Sequence, residues 1–138
     1  MTRVVLDTNV LVSGLLNPHG SPGAIVRLVA SGELALSFDA RILSEYRQVL
    51  LRPAFGFRPA DVEALLEQIQ AAGALAAARP LAHSLPDSDD EMFLEVAIAT
   101  GAEYLITGDA RHFPETLTNG ARVVAPSEFL GIYRQGGR

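Results

Sequence analysis

A chain of 138 residues and 14.7 kDa is long enough for one compact domain with a sizeable core and too short for two ordinary ones. With 49% hydrophobic and 20% charged residues and a mean hydropathy of +0.22, it buries enough apolar surface to exclude disorder. A net charge of -5 and a pI near 5.1 exclude a protein that coats nucleic acid by bulk charge, so a nucleic-acid role needs metal ions or a local arginine patch.

Val4-Val5-Leu6 is a β-branched apolar run too short for a helix, and it stops at the polar turn formers Asp7-Thr8-Asn9. This predicts a buried strand ending in an acid. Asn17 to Gly23 reads as a loop, with Ser21-Pro22 capping a helix that runs to about Ser31-Gly32. Leu34 to Phe38 is a second strand. Asp39 caps a helix from Ala40 to about Leu51, ended by Arg52-Pro53. Arg58-Pro59 opens another helix through about Ala72 with Val62, Leu65, Leu66 and Ile69 as its apolar stripe, and Gly73 closes it.

Residues 74–79 fit a weak third strand or a helical turn equally well. Ser88 to about Thr100 is a helix ending at Gly101, Tyr104 to Ile106 and Arg122 to Val124 are strands, and Pro126 to Ile132 is a short helix. Strands separated by helices, without hairpin signals, predict crossover connections and a parallel sheet covered on both faces. Residues 1–135 are expected to form a single domain and 136–138 a frayed tail. The N-terminus leads straight into a strand, and no apolar run approaches the roughly 18 residues a membrane span requires, so a soluble, cytoplasmic protein is expected, with no membrane partner.

The chain has no cysteine, which removes disulfides, thiol catalysis and thiolate metal sites. All eleven basic residues are arginine. The lysine that P-loop NTPases, Schiff-base enzymes and haloacid-dehalogenase-type phosphatases require is therefore missing. His19, His83 and His112 lack metal-ligand spacing, so a metal here needs oxygen ligands.

Sites in open parallel sheets form beyond the carboxyl ends of the strands. Asp7 and Asp109 each follow a strand and would share one rim, although an acid there is also an ordinary turn or cap residue. In Pro86 to Glu91, Ser88-x-x-Glu91 has capping-box spacing, which accounts for Asp87, Asp89 and Glu91 as first-turn acids. Asp90 fits that account less well. At 100° per residue it falls in line with the inward stripe of Phe93, Leu94, Ala97 and Ile98, where a bare carboxylate is costly unless it binds a donor or a cation. Glu95 points away from the stripe and reads as solvated. Glu45 lies at the edge of the stripe of Ile42 and Val49, equally suited to a rim site or to a surface pair with Arg41.

Carboxylates gathered in one place repel and take up protons unless a cation neutralises them, which is the chemistry of Mg²⁺ or Mn²⁺. One or two such ions suit phosphodiester hydrolysis. An aspartyl-phosphate phosphatase or receiver would instead need an acid two residues after Asp7 and a lysine; position 9 is Asn.

Leu6-Asp7-Thr8-Asn9-Val10-Leu11-Val12, Glu45 on its helix, Asp90-x-x-Phe93-Leu94-x-x-Ala97 and Leu105-Ile106-Thr107-Gly108-Asp109 together resemble the PIN-domain ribonucleases, in particular the VapC-like toxin branch. The resemblance implies a three-layer α/β/α fold with a central parallel sheet in the order 3-2-1-4-5. It also implies a Mg²⁺- or Mn²⁺-dependent endoribonuclease, with metal-ligand and catalytic roles for Asp7, Glu45, Asp90 and Asp109. Asn9 and Thr107 would orient the carboxylates. Further implications are an RNA substrate, a cognate antitoxin of a type II toxin–antitoxin pair and a homodimer. Asp87 and Asp89 compete with Asp90 for the third position, and Arg111 and His112 are candidate phosphate contacts. The alternative within the same resemblance is a non-catalytic RNA- or protein-binding module.

Overall fold

A computed structural model describes residues 2–118 and 120–136, apart from the side chain of Leu117. The elements in chain order are β1 (Arg3–Leu6), α1 (Thr8–Leu16), α2 (Ser21–Ala30), β2 (Ala35–Phe38), α3 (Ala40–Leu50), α4 (Pro59–Ala72), β3 (Ala74–Leu75), α5 (Glu91–Thr100), β4 (Tyr104–Ile106), β5 (Arg122–Val124) and α6 (Pro126–Gln135). Short 3-10 turns at Pro53–Phe55, Ser88–Asp90, Ala110–His112 and Glu115–Leu117 punctuate the connections.

The five strands pair in the order β3-β2-β1-β4-β5, all parallel, and the helices cover the sheet in a three-layer α/β/α arrangement. The expected order is the observed one. Strands β1 and β2 are almost wholly buried, as a parallel sheet covered on both faces demands. The core of Val4, Val5, Leu6, Leu36, Leu105 and Ile106 is closed by Tyr46, Phe93 and Phe129 from the helices. Among the described residues no helix is long and apolar enough to cross a membrane.

Several local readings change. Residues 8–16, left without an element by sequence reasoning, form α1. Helix α2 is capped by Gly20, with Ser21 and Pro22 already inside it. The third strand is only two residues long. The segment from Ser88 begins as a 3-10 turn capped by Asp87, which accepts a hydrogen bond from the Asp89 N–H, and α5 starts at Glu91. The Ser88–Glu91 capping box does not form, because the Glu91 carboxylate accepts from the Leu85 N–H instead. Asp39 caps α3 as expected, accepting from the Ile42 N–H at 3.1 Å. Of the expected tail, residues 137 and 138 lie outside the described residues.

Candidate metal centre

Strand register creates the rim. Leu6 pairs with Ile106, and the Asp7 N–H continues the ladder to the Ile106 carbonyl at 3.0 Å. Asp7 and Thr107 therefore emerge side by side at the carboxyl ends of β1 and β4. The Thr107 hydroxyl donates to Asp7 Oδ2 at 2.7 Å and accepts from the Asp109 N–H at 3.0 Å. One buried threonine thus fixes a carboxylate and the turn that bears the next acid. Asp7 occupies the N-cap position of α1, yet its side chain makes no capping hydrogen bond. Its carboxylate faces the cleft and does not close the helix end, which weakens the ordinary cap reading.

Glu45 comes from α3, which is tied to β1 by a buried tyrosine. The Tyr46 hydroxyl donates to the Leu6 carbonyl at 2.6 Å, and burial raises its pKa, with the Asp7 and Glu45 charges adding to the effect. Tyr46 thus stays a neutral donor. Its neighbour Glu45 is brought to the rim, where Oε2 accepts from the Thr8 hydroxyl at 2.8 Å. The expected alternative, a Glu45–Arg41 surface pair, does not form, since Arg41 binds Asp39 and Glu95. Asn9 is exposed and lines the cleft, but the hydroxyl that holds a carboxylate on this turn belongs to Thr8.

Asp90 points inward, as its helical phase predicts, and is 9% exposed. Loss of water, then the Asp7 and Asp87 charges, raise its pKa above the usual carboxylate range, with His112 opposing them. Its Oδ2 is buried without a hydrogen-bond partner; His112 Nδ1 lies 3.2 Å away but out of line for a hydrogen bond.

Asp7, Glu45, Asp90 and Asp109 line one cleft of about 250 Å³, together with Asp87, Asp89, Arg52 and His112. Larger cavities of about 430 and 620 Å³ lie elsewhere, but neither gathers acids in this way. As the side chains stand, no three metal-ligating groups among the described residues converge on one ion. The donor set nonetheless fits a hard cation: oxygen ligands, excess negative charge and one orphaned buried carboxylate oxygen. A hydrated ion held by one or two carboxylates and its own waters needs no closed protein cage.

Glu95 is a correction. It is 8% exposed, pairs with Arg41 at 2.6 Å and accepts from the Leu81 N–H at 3.2 Å. Residues after β3 cross over this side of α5 and bury it. Sequence reasoning also missed Thr8, Tyr46 and Arg52, and gave His112 only a phosphate contact. Tyr46 carried a faint signal, a phenol inside an apolar stripe, where a hydroxyl needs a buried acceptor.

Residues 3–111 match the PIN domain family. An uncharacterized protein of Methanocaldococcus jannaschii is 30% identical over 110 residues, which cover 78% of this chain and 70% of the relative. PIN domains are in general nucleases that use divalent metals. The parallel 3-2-1-4-5 sheet, the acid-lined rim and the span of the match agree, and the chain belongs to the PIN-domain family.

Proposed function

We propose that this protein is a Mg²⁺- or Mn²⁺-dependent endoribonuclease, with residues 1–135 acting as one nuclease domain and the whole serving as the toxin of a type II toxin–antitoxin pair. The observation that supports this is the meeting of Asp7, Glu45, Asp90 and Asp109, distant in sequence, in one cleft at the strand ends. These four carboxylates would hold one or two ions. A bound ion would supply Lewis-acid polarisation of a phosphate oxygen and a more acidic water.

The chain's own contribution is orientation. Thr107 and Thr8 hold Asp7 and Glu45 at fixed angles, and such support for ligating carboxylates sets metal affinity. Phe93 and Val49 form apolar parts of the cleft wall. Arg52 at the rim offers a cation to the RNA backbone, and Arg111 lies exposed on the turn after Asp109. The acidic chain thus relies on local arginines and on the ion to approach a polyanion. The toxin role, the antitoxin partner, the homodimer and the cytoplasmic location come from the resemblance to VapC-like proteins.

The test is RNA cleavage with Mn²⁺ or Mg²⁺ by wild type, Asp7→Asn and Asp90→Asn, with growth followed on expression in a host lacking the antitoxin. Wild type is expected to cleave and to arrest growth, and both variants to lose at least a hundredfold in rate while staying folded. RNA binding without cleavage under either ion would favour the binding-module reading, and cleavage without growth arrest a housekeeping nuclease.

A further inference from the structure

One imidazole stands among the carboxylates of the cleft. His112 ends the 3-10 turn Ala110–His112 that follows Asp109, and its N–H donates to the Asp109 carbonyl at 2.9 Å. The same turn is anchored through the Asp109 N–H to Thr107, and through Thr107 to Asp7. The imidazole is thereby held against the opposite wall, with Nδ1 3.2 Å from Asp90 Oδ2.

That oxygen is buried and has no hydrogen-bond partner. The two atoms lie within ion-pair range without an aligned hydrogen bond between them. A cation bound by both atoms would give the buried oxygen the partner it lacks. Adjacent ligands on an octahedral ion with bonds of about 2.1 Å are about 3 Å apart, close to the observed separation.

We infer that Asp90 Oδ2 and His112 Nδ1 form a mixed oxygen–nitrogen subsite that selects a first-row divalent transition ion over Mg²⁺. The inference rests on reading the cleft as a divalent-ion site. Mg²⁺ favours oxygen and gives up water reluctantly, whereas imidazole adds affinity for Mn²⁺ and, along the Irving–Williams order, more for Co²⁺. The remaining coordination positions belong to water and to the neighbouring acids.

The experiment is calorimetric titration of the full chain with Mn²⁺ and with Mg²⁺, alongside electron spin-echo spectra of the Mn²⁺-bound protein. It compares wild type, His112→Ala, His112→Gln and the exposed control His83→Ala. Wild type and His83→Ala are expected to show imidazole nitrogen modulation, and both His112 variants to lose it. Mn²⁺ affinity should fall roughly tenfold in the His112 variants and Mg²⁺ affinity less than threefold. His112→Gln retains bulk and polarity, so the spectral test survives if the alanine variant unfolds. Mn²⁺ bound without nitrogen modulation, and with an unchanged Mn²⁺-to-Mg²⁺ preference in the variants, would overturn the subsite and leave an all-oxygen site. Failure of wild type to bind either ion would overturn both the subsite and the nuclease reading.

Discussion

At Asp90, burial and like charge push in the same direction, and both disfavour the ionised form. Loss of water is the larger cause, Asp7 and Asp87 add to it, and the nearby His112 only partly opposes them. A carboxyl with a raised native pKa binds its proton more tightly in the folded than in the unfolded chain. Between about pH 4, the unfolded value, and the native value, the folded state therefore holds more protons, and stability falls as pH rises through that window. In metal-free protein, Asp90→Asn should raise the melting temperature at pH 7, and the gain should vanish below about pH 4, where both states are protonated. Thermal melts in a chelator across this range check it. A lower melting temperature for the variant at pH 7 would mean that the contact with His112 outweighs the burial. The inward aim of Asp90 was legible from helical phase, which holds although the residue ends the 3-10 turn that leads into α5. The burial of Glu95 was not, since it depends on Arg41 and on an irregular segment whose path no local pattern encodes.

Helix α1 carries Asp7 at its cap position and packs closely on α2. A Cβ added at Gly14 would lie 2.5 Å from Val26 Cγ2 and 2.6 Å from the Pro22 carbonyl oxygen, so glycine permits this approach by its lack of a side chain. The Val26 methyl can rotate, but the Pro22 carbonyl is fixed backbone. Gly14→Ala should therefore separate the helices and cost roughly 1–3 kcal/mol, more than the ~1 kcal/mol that alanine returns in helix propensity. A fall in the denaturant midpoint checks this, and an unchanged or raised midpoint would show that the helices slide apart freely. The same helix shows why element assignment was incomplete. Val10, Leu11 and Val12 are all buried and the exposed polar positions of α1 are just Asn9 and Ser13, too sparse a stripe to mark a helix. Helices with one wet face, α3 and α4, were legible from their period. The sheet's parallel sense followed from the alternation of strands and helices, whereas its order came from the resemblance, because propensity does not encode which strands pair.

Among the described residues, six acids open onto a single cleft and only Arg52 and His112 answer them there, while the other ion pairs lie outside it. The fold thus concentrates its net charge of -5 at one rim, where it opposes folding until something neutralises it. An ion that binds the folded chain alone stabilises it by mass action, about 2.7 kcal/mol at a hundredfold excess over Kd. For a chain of this size that corresponds to a rise in melting temperature on the order of 10 °C. General screening also relieves like-charge repulsion, but it acts through ionic strength and not through a site. Mn²⁺ at low millimolar concentration should accordingly raise the melting temperature of wild type far more than sodium chloride at equal ionic strength. Asp7→Asn should lose most of that ion-specific gain. Equal shifts from the two salts would mean that the rim is only a patch of repelling charge, and that the convergence of its carboxylates serves no ion.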